Sequence, residues 1–222
     1  MSQRNLKELI DTADPGIERL QQLISDAEVP CELLPPGPER EQSLLYLQVT
    51  TRSLLGAFGY DTGGLLIDDG WLRLLGSGHP KSTRSLHEWN SPRTDGTFIL
   101  IGDDAAGGFY ALNGGAFGED LGAVYYWAPD DLEWESLEMG HTDFVAFSLT
   151  NRITEFYESL RWPTWRDDVK DLPTDRSFFF YPFLWTREGS VEDSHRSTVP
   201  LSEAWDVKVD IVRQLMEQSD SS

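Results

Sequence analysis

The chain is 222 residues long, 39% hydrophobic and 12% aromatic, and carries a formal net charge of −20 at pH 7. This length and apolar content suffice for a buried core and argue against an acidic disordered chain. Its basic residues form no run, which argues against direct binding to a phosphate backbone. We therefore predict a globular protein with no nucleic-acid partner.

Cys31 is the single cysteine, so the sequence offers no intrachain disulfide and no thiolate zinc site. The N-terminal residues are too polar for a signal peptide, and no apolar run approaches the roughly 18 residues that span a bilayer. We expect a soluble cytoplasmic protein without a cofactor, a bound metal or a membrane partner.

In chain order, a first helix is predicted after Asp14 and Pro15, which have the residue types of an N-cap and a first helical position. Ile17, Leu20 and Ile24 then fall on one face, and the helix should stop near Pro30. The segment Cys31–Leu34 is predicted as an edge strand or an extended connector, because prolines flank it.

Short apolar runs bounded by turn residues predict a series of strands from Ser43 onward. They cover residues 44–49, 64–67, 71–75, 97–101, 109–112, 123–127 and 132–137. Two turns, at residues 68–70 and 128–131, indicate antiparallel hairpins.

Three further helices are predicted. A short one covers residues 85–89, where Ser85 and Glu88 have the spacing of a capping box. A long one covers residues 142–160, and a last one follows Leu201. Between these two, residues 178–185 are apolar enough to form a buried strand.

The predicted fold class is α+β, a mainly antiparallel sheet bracketed by N-terminal, central and C-terminal helices. We expect one domain over residues 1–222. Residues 1–30 should be a helical segment, residues 31–140 mostly sheet, and residues 141–222 helices plus one buried strand.

The segment between Arg93 and Arg152 has the most unusual composition. Residues 94–151 contain eleven carboxylates, nine glycines and ten aromatic side chains but no Lys or Arg. Loops of this composition present backbone and carboxylates at sheet edges, so we predict an acidic recognition surface here. The predicted binding residues are Asp103, Asp104, Gly107, Gly108, Phe109, Asn113, Glu119 and Asp120.

An alternative pocket would combine Ser77 as a nucleophile and His79 as its base with the Asp68-Asp69 and Asp103-Asp104 turns. The Gly-x-Ser-x-Gly elbow is missing, and a loop histidine bonded to backbone is the simpler interpretation. Adjacent carboxylates seldom face one ion. At Asp103-Asp104, however, a turn could bend both side chains together near Asn113, so a metal or ligand contact there is an alternative to a plain turn role.

Four blocks of sequence resemble a bacterial family known only as a domain of unknown function. The blocks cover residues 51–57, 62–80, 107–115 and 181–185. More distantly, the strand, acidic glycine turn and aromatic strand over residues 99–112 are similar to the SUKH superfamily, an α+β group that includes many immunity proteins. The second resemblance implies a role in protecting a bacterium from a toxin.

Two hypotheses of function follow. The first is a non-catalytic protein-binding module whose acidic face meets a basic protein, an immunity-like role in which the partner is a nuclease toxin. The second is a hydrolase built around Ser77 and His79, which requires the two side chains to meet at hydrogen-bonding distance.

Overall fold

A computed structural model describes residues 3–220 of the chain. Seven antiparallel strands form one sheet and lie side by side in the order in which they occur in the chain. The strands are β1 (Cys31–Leu34), β2 (Gly64–Ile67), β3 (Leu72–Leu75), β4 (Phe98–Asp104), β5 (Phe109–Asn113), β6 (Ala123–Trp127) and β7 (Glu135–Gly140). A second sheet pairs β8 (Arg176–Tyr181) with β9 (His195–Pro200). The α+β prediction is confirmed.

Nine α-helices accompany these sheets within the described part of the chain. They are α1 (Leu6–Leu9), α2 (Gly16–Ser25), α3 (Arg40–Leu47), α4 (Leu54–Asp61), α5 (Leu86–Asn90), α6 (His141–Ser148), α7 (Arg152–Phe156), α8 (Trp165–Lys170) and α9 (Leu201–Asp220). A 3-10 turn, Glu158–Leu160, follows α7. No helix within residues 3–220 is both long and apolar enough to cross a bilayer.

Both faces of the large sheet are covered, because side chains along a strand alternate between its faces. On one face, Tyr110 lies 4.8 Å from Phe144 of α6, measured between ring centroids. On the opposite face, Phe109 lies 5.1 Å from Trp205 of α9. The central strands are therefore buried between the α6 side and the C-terminal segment.

Most of the predicted elements are confirmed with shifted ends. The helix predicted after Pro15 is α2, which begins at Gly16 with Pro15 as its N-cap, and Asp14 instead forms an ion pair with Arg52. Ser85 caps α5 by accepting a hydrogen bond from the backbone N–H of Glu88 at 3.1 Å. The turn at residues 128–131 is closed by a bond from the N–H of Asp131 to the carbonyl of Ala128.

Three predictions of elements were wrong. Residues 44–49 form no strand, because Leu44 and Leu47 are the buried face of helix α3. The predicted long helix is divided into α6, α7 and the 3-10 turn, with a break at residues 149–151 where the hydroxyl of Thr150 donates to the carbonyl of Phe147 at 2.8 Å. The C-terminal part contains two strands, since the polar strand β9 pairs with the predicted buried strand.

Candidate functional site

Asp103 and Asp104 end strand β4, and the structure places both inside the protein. Their exposed fraction is 0%. Oδ1 of Asp103 lies 2.7 Å from Nε of Arg73, its cross-strand neighbour in β3, and its other oxygen pairs with Nη1 of Arg84. The prediction that these aspartates form an exposed acidic face is therefore wrong, because two arginines neutralise Asp103 in the interior.

Asp104 organises the hairpin that follows it. Its Oδ1 accepts hydrogen bonds from the backbone N–H groups of Ala106 and Gly108, both at 2.9 Å, and its Oδ2 accepts one from the hydroxyl of Tyr126 at 2.7 Å. Burial raises the pKa of the Asp104 carboxyl, while the bond from Tyr126 opposes that shift. These bonds support the role of Asp104 in the turn and not a metal or ligand contact.

Gly107, Gly108 and Phe109 serve this same hairpin and do not form a surface. Gly107 has a φ of +92°. A Cβ on Gly108 would lie 2.3 Å from Oδ2 of Asp104 and 2.6 Å from the hydroxyl of Tyr126, so only glycine fits beside that hydrogen bond. Phe109 is fully buried against Trp205 and is not an exposed anchor, contrary to the prediction.

The C-terminal segment is joined to the sheet by the same arginines. Arg73 donates to the carbonyl of Arg176 at 2.8 Å, and Arg84 donates to the carbonyl of Thr174 at 2.7 Å. The arrangement holds residues 174–176 over the end of the sheet. We call Arg73, Arg84, Asp103, Asp104 and Tyr126 the buried polar network.

Asp68 and Asp69 form the tight turn between β2 and β3, with φ angles of 51° and 59°. Asp68 is buried and pairs with Arg161 at 2.6 Å and with Arg166 at 3.0 Å. Asp69 also pairs with Arg166, at 2.5 Å. Both carboxylates are thus engaged by arginines from the chain after α7.

Ser77 and His79 do not form the predicted nucleophile and base. Ser77 is fully buried, and its hydroxyl donates to the carbonyl of Thr62 at 2.6 Å and accepts from the N–H of Gly37 at 2.8 Å. Nδ1 of His79 accepts from the backbone N–H of Lys81. Asp68 and Asp69 precede β3 whereas Ser77 follows it, so about 13 Å of strand lies between them. Asp68, Asp69, Ser77 and His79 therefore do not converge on one pocket.

Asn113, Glu119 and Asp120 lie at the opposite end of β5 from Asp103. The Asn113 amide donates to Oδ1 of Asp120 at 2.9 Å, and Oδ1 of Asn113 accepts from the N–H of Gly115 at 2.8 Å. The Tyr125 hydroxyl also donates to Asp120, at 2.9 Å. The predicted site is therefore two separate places, joined by a strand.

Exposed carboxylates occur at this second place and along β7, the neighbouring edge strand. We call Glu119, Asp120, Glu133, Glu135 and Glu138 the acidic edge, because two of them lie in β7, the last strand of the sheet. The hydrogen bond from Tyr125 lowers the pKa of the Asp120 carboxyl, with smaller contributions from Asn113 and Ser136. Asp120 therefore remains ionised at neutral pH.

Asp120 and Glu138 of the acidic edge line a shallow depression that has an apolar part. It is lined by Asp120, Leu121, Gly122, Ala123, Ser136, Glu138, Met139 and Gly140. Leu121 is 70% exposed in the turn before β6. Exposed leucine within a rim of carboxylates is the composition of a small recognition surface.

Within the described residues, sequence reasoning missed five cations that bind buried acceptors, namely Arg73, Arg84, Arg161, Arg166 and Lys208. Two of them left a signal in the sequence. Arg73 interrupts the otherwise apolar strand of residues 71–75, and Lys208 lies on the apolar face of α9 between Ala204 and Val212. A charge at such a position requires a buried partner. No group of three His, Cys, Asp or Glu residues suited to a metal ion occurs within residues 3–220.

Comparisons with known proteins show what this chain is similar to. A family model described as protein of unknown function DUF2625 matches residues 6–204. An uncharacterized protein of Escherichia coli K12, YbfG, is 45% identical over 208 residues, which is 92% of this chain and 95% of the relative. An uncharacterized protein of Haemophilus influenzae is 40% identical over 172 residues, 74% of this chain and 75% of the relative. No solved structure matches.

Proposed function

Because the chain belongs to the family of proteins of unknown function DUF2625, its relatives provide no activity to transfer, and we propose a binding role from the structure itself. In this proposal the protein is a non-catalytic binding module. Its acidic edge holds a basic protein partner.

The observation that carries the proposal is a set of exposed carboxylates without cations. Within the part of the chain that the structure describes, none of the five acidic-edge residues takes part in an ion pair. Elsewhere, Asp68 and Asp103 each have two arginine partners. Uncompensated charge at the acidic edge is therefore available to an external cation.

Leu121 provides an apolar contact in the depression that Asp120 and Glu138 line. Interfaces have an apolar core and a polar rim, and the depression around Leu121 and Met139 has this arrangement. The partner should combine a small apolar side chain with flanking Lys or Arg. Acidic groups alone would attract any cation, whereas the apolar contact adds selectivity.

The position on an edge strand supports a protein partner of a particular kind. Within residues 3–220, β7 has no neighbouring strand on its outer side, and its pairing with β6 is irregular between Ala123 and Tyr125. Charges and irregularities on edge strands disfavour pairing with neutral strands. A partner must therefore bring cations to bind here.

An immunity-like role is the specific form of this proposal. A nuclease holds nucleic-acid phosphates on a cationic surface, and an acidic module can cover that surface. Inhibition would then result from steric and electrostatic occlusion. Charge complementarity mainly raises the association rate and is weakened by salt, because exposed charges are screened over about 8 Å at 0.15 M ionic strength.

The test compares two triple variants with equal loss of charge. The edge variant carries Glu119→Gln, Glu135→Gln and Glu138→Gln, which leaves Asp120 and its hydrogen bonds in place. The control variant carries Glu18→Gln, Glu41→Gln and Glu192→Gln at exposed positions elsewhere. Basic proteins encoded beside the gene, including any nuclease, are titrated against each variant by calorimetry at low and high salt.

We expect the native protein and the control variant to bind such a partner alike, the edge variant to bind at least about tenfold more weakly, and salt to weaken binding. Equal losses in both variants, affinity indifferent to salt, or no binding by any basic protein would overturn the proposal.

A further inference from the structure

One face of the large sheet is covered only in part. A row of cross-strand partners on this face runs, each paired with the next, through Glu32, Leu66, Arg73, Asp103 and Phe109. Cross-strand partners point to the same face. The last three are at most 1% exposed, whereas Leu66 is half-buried and Glu32 is exposed. The C-terminal segment, which contacts Arg73 and Phe109, therefore leaves this face open at β1 and β2.

A cavity lies over the open part of this face, where Glu32 and Leu66 line it. Its volume is about 490 Å³, and it is partly open to solvent. Small-molecule sites typically have about 300–1,000 Å³. The apolar part of the lining comes from β1, β2, α8 and the segment after α8, and consists of Pro30, Cys31, Leu66, Val169, Leu172 and Pro173. The cavity therefore has room for a small molecule and an apolar surface to hold it.

The two carboxylates of the lining, Glu32 and Asp69, already have cationic partners. Oε1 of Glu32 lies 2.5 Å from Nζ of Lys81, which also lines the cavity. Oδ2 of Asp69 lies 2.5 Å from Nη1 of Arg166. Because these pairs compensate the negative charge at the cavity, a cationic ligand would gain little there.

Of the two lysines that line the cavity, Lys170 is the more available to a ligand. Its Nζ lies 3.1 Å from Oδ1 of Asp167, three residues earlier in α8, and the two side chains are 65% and 82% exposed. Exposed pairs of this kind contribute little to stability. An ammonium also has three N–H donors, and this contact uses one of them. Lys170 therefore has a charge and donors to offer an anion beside the apolar lining.

We propose that this cavity binds a small carboxylic acid with an aliphatic body, so that Lys170 holds the carboxylate and the apolar lining holds the body. The apolar residues of the lining are aliphatic apart from Cys31. A dianion such as a phosphate ester would need a second available cation, and an uncharged ligand would leave Lys170 unused. The net charge of −20 repels anions in general. Burial of the aliphatic body therefore supplies most of the affinity, and the ion pair selects the anion.

This inference does not depend on the acidic edge. The cavity lies at β1 and the acidic edge lies at β7, and these two strands are the opposite edges of the seven-stranded sheet. The two ligands also differ, since the acidic edge takes a cationic protein and the cavity takes a small anion. Failure of one proposal therefore leaves the other standing.

Cys31 reports on the cavity, because it is the single cysteine of the sequence, is half-buried and belongs to the lining. The full-length protein is treated with iodoacetamide, and mass spectrometry follows the alkylation of Cys31 at increasing concentrations of octanoate, octanamide, octylamine or acetate. The first three probes share one aliphatic body, whereas acetate has the anionic group with a single methyl. Calorimetry measures the binding of the same probes without the thiol reaction.

We expect octanoate to bind and to slow the alkylation of Cys31 in a saturable way. Octanamide and octylamine should bind at least about threefold more weakly, because they lack the anion. Acetate should bind at least about a hundredfold more weakly, because it lacks the methylene groups that the apolar lining buries. Octanoate that does not bind, that binds without protecting Cys31, or that binds no more tightly than octanamide or octylamine would overturn the inference.

Two variants that each remove one exposed lysine give the matched comparison. Lys170→Met removes the proposed partner of the carboxylate, and Lys7→Met removes a lysine of α1. Lys170→Met should bind octanoate at least about threefold more weakly than the native protein and should bind octanamide unchanged, a difference that a general disturbance of the cavity would not give. Lys7→Met should bind both probes like the native protein. Equal affinity of the two variants for octanoate would also overturn the inference.

Discussion

The carboxylates of Asp103 and Asp104 are fully buried at one end of β5, whereas Glu119 and Asp120 are exposed at its other end. Both places are acidic turns beside glycines. Arg73 and Arg84 reach the first from β3 and from the loop before α5, while the donors to the second in the described part of the chain are neutral groups such as Asn113 and Tyr125. The cations supplied by distant parts of the chain therefore decide which acidic turn belongs to the core and which is free for recognition.

The largest effect is expected from Asp103→Asn. The change leaves Arg73 and Arg84 buried without their anion, and breaking a buried ion pair costs about 3–5 kcal/mol. Glu119→Gln, the equivalent change at the acidic edge, should alter the free energy of unfolding by less than about 0.5 kcal/mol. Urea denaturation of both variants makes the comparison, and similar losses would contradict the division into a buried and an exposed region.

The adjacent tyrosines of β6 give a second matched pair. Tyr126→Phe removes the donor to buried Asp104, and a hydrogen bond to a charged group contributes about 1.5–3 kcal/mol. Tyr125→Phe removes a donor to exposed Asp120, where water can replace it, so a loss under about 1 kcal/mol is expected. Thermal and chemical denaturation should rank the two variants in this order; the reverse order would argue against the buried polar network.

Gly108→Ala should cost about 1–3 kcal/mol, because the added methyl group overlaps the carboxylate of Asp104 and the ring of Tyr126. The same substitution in a Tyr126→Phe background should cost less, since one of the two close neighbours has been shortened. A double-mutant cycle by urea denaturation measures this difference. Strictly additive losses would mean that Gly108 and Tyr126 do not compete for space.

The smallest effect concerns protonation. Burial raises the pKa of Asp104 in the folded protein above the usual value of 3.8, so protonation of this carboxyl favours the folded state. Its contribution to stability is therefore present at low pH and is lost as the pH rises through the folded-state pKa. For Asp120 the folded pKa is lowered, chiefly by Tyr125, so its contribution is present above the usual pKa and lost as pH falls. Carboxyl carbon NMR titration should show Asp104 titrating above Asp120, and the opposite order would refute both assignments.

Local pattern predicted a large part of the fold. Residues 64–67, 109–112 and 123–127 form strands as expected, since short apolar runs between turn residues leave few alternatives. The wrong prediction for residues 44–49 also has a local cause. The run of residues 44–49 has apolar side chains that suit a strand or a buried helix, and periodicity over six residues cannot separate the two.

The candidate site was less predictable, because the sequence places acidic residues in turns without showing their partners. Asp103 and Arg84 are 19 residues apart, and Asp68 and Arg166 are 98 apart. Sequence spacing over a few positions therefore could not predict either ion pair. Ser77 failed as a nucleophile for the same reason, since its hydroxyl is bonded to Thr62 and Gly37 across neighbouring segments.

The sequence alone determined that the chain is acidic, α+β and built on antiparallel hairpins, because composition, apolar period and turn residues act over a few positions. Tertiary structure alone decided that Asp103 is buried, that Glu119 is exposed and that Lys208 is buried. Burial and charge pairing depend on which distant segments meet, and only the folded chain brings those segments together.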